Sequence, residues 1–288
     1  MPRPTSQTSR DDSADRQTAR CYGYLWDRED ATRKQVSPPH AAQVAAVVSE
    51  QIVRGRRGID VGCGSGYDVE IMARTNPEVY LVALDLSESV KITRRRCAGL
   101  LNVGVVQASA LALPFKDECF DFAYSFGVLH HTPAPWAGAK EIGRVLADGG
   151  AAYLYLYEDH ADHPVKYWSL KFITLLRRGA RRLHRRVLYG LCIFAAPWVY
   201  LCFTIPAKLA SRVRGLQGWA LAWPFNFLRG PFDGIGDMFD RFGAPIEWRY
   251  SEAEARALLV ESGLRHVQTR RIAGIAGWVV WGMKRLAR

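Results

Sequence analysis

Residues 58–66 read Gly58-Ile59-Asp60-Val61-Gly62-Cys63-Gly64-Ser65-Gly66, a short β-rich run that closes on three glycines alternating with small residues. Glycine lets the chain turn tightly and lets a ligand approach the backbone closely. The following residues, to about 75, carry a helical pattern, and a helix N-terminus offers unpaired N–H groups with partial positive charge. Nineteen residues beyond Gly66, at the end of the next β-rich run, stands Asp85. A carboxylate there can accept from both hydroxyls of a ribose. The stretch is thus read as a strand, a ligand-binding turn and the opening of a helix.

Working outward, β-rich runs at 58–61, 79–85, 103–107, 120–126 and 151–157 alternate with helical patterns at 66–75, 87–98 and 136–147. An amphipathic, alanine-rich helix is expected over 36–53, entered through Ser37-Pro38-Pro39. Strands alternating with helices require crossovers and build a parallel sheet covered on both faces. The alternation stops near residue 160 and resumes near 245. There Ser251 and Glu254 form a capping box for a helix that Gly263 ends, and 264–271 and 277–283 read as two strands joined by a turn. The expected fold is α/β: a seven-stranded sheet, mostly parallel with the last strand pair antiparallel, helices on both faces and a helical insertion after the fifth strand. The expected domains are a disordered tail at 1–20, a ligand-binding core at 21–160, a basic and apolar insertion at 161–244, and a helix with a strand pair at 245–288 completing the core.

The formal net charge of +11 is concentrated in the insertion. No acidic residue occurs between Asp162 and Asp233, while that interval holds twelve lysines and arginines. Such density attracts anionic partners: phospholipid headgroups, phosphates or nucleic acid. The six cysteines form no CxxC pair, so a reduced, cytoplasmic chain without a structural metal is expected. The first twenty residues carry no apolar segment of the kind a secretory signal needs.

The turn has the spacing G-x-G-x-G with an acid, Asp60, ahead of it. Further on stand Leu113-Pro114-Phe115 and Val128-Leu129-His130-His131-Thr132-Pro133. These four elements, in this order, resemble class I S-adenosylmethionine-dependent methyltransferases of the small-molecule, type 11-like group, over roughly residues 20–160 and 245–284. The resemblance implies a Rossmann-like sheet and S-adenosyl-L-methionine as cofactor. It implies that Gly62, Cys63, Gly64 and Gly66 line the methionine part, that Asp60 meets its ammonium, that Asp85 holds the ribose and that Leu86 packs on the adenine, with Ala110 and Phe126 nearby. The family often has an acid before Leu-Pro-Phe that accepts from the adenine amino group; here Ser109 stands in that place. A hydroxyl can still accept, without the stronger charge-assisted bond.

Methyl transfer from a sulfonium asks the protein mainly for alignment and exclusion of water. Three acceptor-side groups are candidates. His131, just past the fourth strand, can orient substrate or cofactor or simply structure its loop, and His130 is expected to pack. In Tyr157-Glu158-Asp159-His160-Ala161-Asp162-His163, Asp159 or His163 can act as general base; no metal is expected there. Near the start, Tyr22-Gly23-Tyr24-Leu25-Trp26 supplies aromatic faces suited to a sulfonium, so Tyr24, Trp26 and Tyr157 are taken as substrate contacts.

Residues 187–206, VLYGLCIFAAPWVYLCFTIP, carry no charge. One span would leave the last two strands on the wrong side of a bilayer, both flanks are basic, and Pro197 kinks the middle. The expectation is a cap over the acceptor site that also lies on an anionic membrane surface through 166–214. The acceptor is then an O, C or N atom of a hydrophobic small molecule or lipid-like compound, handled in the cytoplasm or at the inner membrane face. An RNA methyltransferase and a non-catalytic S-adenosylmethionine-binding scaffold are the alternatives. The first is disfavoured because the fourth strand ends in Ser125-Phe126-Gly127-Val128 and no RNA-binding module is evident.

Overall fold

The computed structural model describes residues 8–30, 40–48, 52–223, 225, 228, 230–271 and 277–285. The chain divides into two compact units: unit 1 holds 1–159 and 245–288, unit 2 holds 160–244.

Unit 1 opens with helices α1 (Thr8–Asp30) and α2 (His40–Ala45). Strand β1 (Arg57–Val61), helix α3 (Tyr67–Thr75), β2 (Tyr80–Asp85), α4 (Val90–Arg96), β3 (Val103–Gln107) and β4 (Phe120–Phe126) follow. A short 3-10 turn at Leu129–His131 leads into α5 (Pro135–Val145) and β5 (Leu146–Tyr157). The seven strands, including the final pair described below, lie in the order β3-β2-β1-β4-β5-β7-β6. The first five pair in parallel.

The alternating side-chain directions of these strands build two cores. Ile59, Val61, Ala123 and Leu154 face one layer with α5; Phe122, Tyr124, Tyr153 and Tyr155 face the other with α3. Strands buried on both faces explain why β1, β2 and β4 read as apolar runs without polar alternation. Gly58 is needed where it stands, since a Cβ there would run into the Phe122 ring.

Two expectations change. Residues 8–20, read as disordered tail, belong to α1, where Thr18 and Leu25 are buried; an apolar anchor late in the helix orders the polar part before it. Helix α4 starts three residues later than expected, because the Ser87 amide and hydroxyl both donate to Asp85 at 2.8 and 2.7 Å. Of the helix expected over 36–53, the described part is α2 with a turn through Val48; residues 36–39 and 49–51 lie outside the described residues.

Unit 2 consists of α6 (Pro164–Ala180), α7 (Arg185–Val199), a π turn at Tyr200–Thr204, α8 (Ile205–Ala210), α9 (Gln217–Ala222) and α10 (Ile235–Gly243). From Arg185 to Ala210 the helix is continuous, 26 residues long, with Pro197 inside it and the π turn just beyond. Only 22% of its most apolar window is buried, so this is not an ordinary core helix. Within the unit, α10 packs against α6 and α7. Tyr189 meets Phe239 edge-on, and the Arg177 Nε donates to the Arg241 carbonyl at 2.5 Å.

The chain then returns to unit 1 with α11 (Glu252–Glu261), β6 (Leu264–Arg271) and β7 (Gly277–Lys284). The capping box is formed: Glu254 N donates to Ser251 Oγ at 3.3 Å, and Ser251 N donates to Glu254 Oε2 at 3.0 Å. Strand β7 runs antiparallel to both β5 and β6.

Candidate functional site

The carboxyl edge of the sheet in unit 1 gathers the loops after β1 to β5, the place where open α/β sheets bind ligands. After β1, Gly62, Gly64 and Gly66 all take left-handed backbone angles, with φ of 89°, 53° and 74°. Gly62 N and Cys63 N both donate to the Leu84 carbonyl, tying the turn to β2. Space is as decisive as conformation at Gly66, where a Cβ would lie 2.6 Å from Thr93 Cγ2.

Three carboxylates surround this turn. Asp85 at the end of β2 accepts from the Gly64 amide on Oδ2 at 2.9 Å, and from Ser87 N and Oγ on Oδ1. An ionised carboxylate has about four lone-pair sites, so acceptor capacity remains on Oδ2. Asp68, on the first turn of α3, accepts from Tyr124 Oη at 3.2 Å and the His40 amide at 2.8 Å. Asp60 is 3% exposed. Burial, and then the charges of Asp68 and Asp85, hold its carboxyl well above the usual carboxylate range. The His40 ring pairs with Asp68, its Nδ1 lying 3.2 Å from Asp68 Oδ2. Burial and the carboxylates of Asp85 and Asp60 likewise push the Cys63 thiol up, so it stays protonated.

A cationic, ribose-bearing ligand fits this donor and acceptor set. Its ammonium would neutralise the acids that oppose one another around Asp60, and its ribose would find the remaining acceptor capacity of Asp85.

Helix α1 lies across the same edge. Trp26 covers Gly64, where a Cβ would come 2.8 Å from Trp26 Cε2. Gly23 approaches Ser87, and the Tyr22 ring sits 4.9 Å from His131. Ser109 Oγ donates to Asp15 Oδ2 at 2.6 Å and accepts from Leu111 N at 3.1 Å. The loop after β3 therefore has a carboxylate beside it, brought from 94 residues away. Sequence reading missed Asp15 and could not have found it, because it placed residues 1–20 in a disordered tail. The Tyr24 ring carries the Arg28 guanidinium at 5.3 Å.

Leu86 is half-buried, with its carbonyl held by Gln107 Nε2 at 3.1 Å, and Ala110 is buried in the core layer of α5. Phe126 is stacked on both faces, by His40 and by Tyr155, each at 4.2 Å between ring centroids. Its ring is a packing element whose faces are already used.

His131 is buried, and its Nδ1 lies 2.8 Å from the Ile246 carbonyl. A carbonyl only accepts, so Nδ1 carries a proton in this contact. His130 packs as expected: it stacks on Tyr157 at 3.9 Å, and burial first, then His131 and Arg249, hold it neutral. Tyr157 also carries the Arg249 guanidinium at 5.1 Å. The Asp159 amide donates to the Tyr250 carbonyl at 3.1 Å. His163 belongs to unit 2, where its Nδ1 caps α6 by accepting from the Lys166 amide at 3.5 Å. The 157–163 cluster is thus divided between the two units after Asp159, and one of its two base candidates serves as a helix cap. No group of three or more His, Cys, Asp or Glu side chains that could hold a metal ion occurs among the described residues.

Known proteins match this picture. Residues 59–154 match the family model described as a methyltransferase domain. The 27-O-demethylrifamycin SV methyltransferase of Amycolatopsis mediterranei is 31% identical over 133 residues, 45% of this chain and 47% of that one. A tRNA (carboxymethyluridine(34)-5-O)-methyltransferase of Saccharomyces cerevisiae is 35% identical over 108 residues, 36% of each chain. The demethylmenaquinone methyltransferase of Staphylococcus carnosus is 33% identical over 107 residues, 36% of this chain and 44% of that one. The chain therefore spans less than half the length of each of these relatives. Among solved structures, a Thermotoga maritima S-adenosylmethionine-dependent methyltransferase, possibly a histamine N-methyltransferase, superposes with a TM-score of 0.52 at 15% identity. That overlap covers 93% of this chain and 100% of the other. Unit 1 is a class I S-adenosylmethionine-dependent methyltransferase fold, with S-adenosyl-L-methionine as its cofactor. The matched residues run from β1 into β5, and the rest of the chain lies outside the match.

Proposed function

We propose that the chain transfers a methyl group to an oxygen, carbon or nitrogen atom of a hydrophobic small molecule or lipid-like acceptor, in the reducing interior of the cell. The carrying observation is the group of three acids around the glycine turn: Asp68 pairs with the His40 ring at 3.2 Å, while Asp60 and Asp85 suit a cationic nucleoside. When bound, S-adenosyl-L-methionine supplies the activated methyl group. Asp85 holds the ribose, the glycine turn admits the amino acid end, and Trp26 and Tyr22 on α1 exclude water from above. His131, fixed by the bond between its Nδ1 and the Ile246 carbonyl and lying beside the Tyr22 ring, orients the acceptor at this edge. Two of the relatives bear names of apolar acceptors, a rifamycin and a menaquinone precursor, and all six cysteines are free thiols.

The test is incubation of the full chain with methyl-labelled cofactor and fractionated cell extracts, read by mass spectrometry. Label in an apolar small-molecule or lipid fraction, absent with Asp85→Ala, supports the proposal. Label in RNA alone would move the function to the tRNA-modifying side that one relative represents. Cofactor binding by calorimetry with no label in any fraction would point to the scaffold reading.

A further inference from the structure

Unit 2 is built with its apolar stripes facing outward. Sixteen of the twenty large apolar side chains exposed among the described residues belong to it. On α6, Trp168, Phe172 and Leu175 are exposed at a spacing of four and three residues, while Arg177 on the opposite side is buried. On α7, Leu191, Phe194 and Trp198 repeat the pattern, Leu201 continues it in the π turn, and Leu188, Cys192 and Ala196 fill the inward stripe. Each spacing keeps one helical face, so each helix presents a continuous apolar surface. A soluble helix turns that surface to its core.

The cations border these stripes. Lys171, Arg178, Arg181, Arg182, Arg185 and Arg186 are all exposed, and no acid occurs between Asp162 and Asp233. Aliphatic and aromatic stripes with a cationic border and no acid match one surface: an anionic bilayer, acyl chains below and phosphates above. A nucleic acid would match the cations but leave the aliphatic stripes in water. A second copy would match the stripes but set one cationic border against another.

We infer that unit 2 docks in the plane of an anionic lipid bilayer, with Trp168, Phe172, Phe194 and Trp198 sunk into the headgroup–acyl boundary. The 26-residue helix is long enough to span, at about 1.5 Å per residue, but its inward stripe is occupied within unit 2. Tyr189 packs on Phe239 of α10, a helix that also carries Asp237, Asp240 and Arg241. Cations also flank both ends, Arg185 and Arg186 before it and Arg212 and Arg214 after it. The in-plane geometry satisfies all of these. The inference rests on unit 2 alone and stands whichever acceptor is methylated.

The experiment is flotation of the full chain with vesicles of phosphatidylcholine containing phosphatidylglycerol, against phosphatidylcholine alone. A double variant on each helix, Trp168→Ser with Phe172→Ser and Phe194→Ser with Trp198→Ser, probes the stripes. Binding to the anionic vesicles should exceed the neutral by at least about tenfold and weaken with salt. Each double variant should lose about tenfold or more, with thermal midpoint and cofactor affinity unchanged. The inference is overturned by no binding to anionic vesicles at low salt, or by binding that ignores both double variants. Resistance to alkaline carbonate extraction would mark a true span, and a dimer that the double variants dissociate would mark a second copy as the occupant; either also overturns it. Failure of acceptor methylation moves none of these readouts.

Discussion

Replacing Gly66 with alanine tests the glycine turn where its demands are sharpest. The residue has φ 74° and precedes α3 directly. An L-residue in that conformation costs about 1–2 kcal/mol. The added Cβ would also lie 2.6 Å from Thr93 Cγ2 and 2.9 Å from both Cβ and Oγ1, against an ordinary carbon–carbon separation of about 3.5–4 Å. Thr93 is fully buried, and its hydroxyl donates to the Gly64 carbonyl at 3.0 Å, so it cannot retreat without loosening the turn. Overpacking of this kind costs about 1–3 kcal/mol. The total is about 2–5 kcal/mol, or roughly 2–4 °C of thermal midpoint per kcal/mol for a chain of this size. Thr93→Ser removes the clashing methyl and keeps the hydroxyl. The pair Gly66→Ala with Thr93→Ser should therefore recover the part of the packing share due to Cγ2, and leave the conformational share and the 2.9 Å approaches to Cβ and Oγ. Thermal unfolding of the single and double variants, alongside cofactor titration by calorimetry, measures both. A single variant within about 0.5 kcal/mol of the parent, or a double variant no better than the single, would refute the account.

Three further outcomes follow from the same geometry. Asp60→Asn should stabilise the cofactor-free chain at neutral pH while weakening cofactor binding, seen as a higher thermal midpoint without cofactor and a higher Kd. The sign is set by a carboxyl held up in the folded state. The folded chain binds more protons than the unfolded one, so stability falls as pH rises above the ordinary carboxylate range, and the variant should lose that slope. Asp15→Ala removes the charge-assisted partner of Ser109 and should weaken cofactor binding by up to about tenfold, or about 1.4 kcal/mol, just under the roughly 1.5–3 kcal/mol such bonds contribute. Ser251→Ala breaks the capping box of α11 and should lower stability by about 1 kcal/mol, read from a urea midpoint at unchanged slope.

Much of unit 1 was legible because its signals are local. Strands β1, β2, β3 and β4 lie within a residue of where their apolar runs end, since burial on both faces leaves little else such runs can do. The capping box was legible for the same reason: Ser251 and Glu254 satisfy each other's backbone neighbours without help from elsewhere. What was not legible depends on distance. The polar residues 8–20 look disordered alone, and only the packing of Thr18 and Leu25 makes them helical. The contact between Asp15 and Ser109 joins residues 94 apart, and no periodicity reports it. His163 looked like a base because it follows a strand, yet its lone pair caps α6. In 187–206 the uncharged run and its helical form were legible, but which face turns outward depends on α10, some forty residues on.

The three carboxylates explain why this turn reads so strongly in sequence. An acid placed in a core costs stability unless something offsets it, and Asp60 is placed there beside two more. Structure alone gives no return for that cost, since Val61 and Ile59 already supply the apolar packing of β1. A cation arriving from outside reverses the balance, turning mutual repulsion into three favourable interactions at once. The arrangement around Asp60 therefore favours a cationic ligand. That same logic separates unit 1 from unit 2. In unit 1 acids gathered around a glycine turn suit a small cation with a ribose. In unit 2 exposed cations border apolar stripes, the pattern from which docking on an anionic bilayer is inferred above.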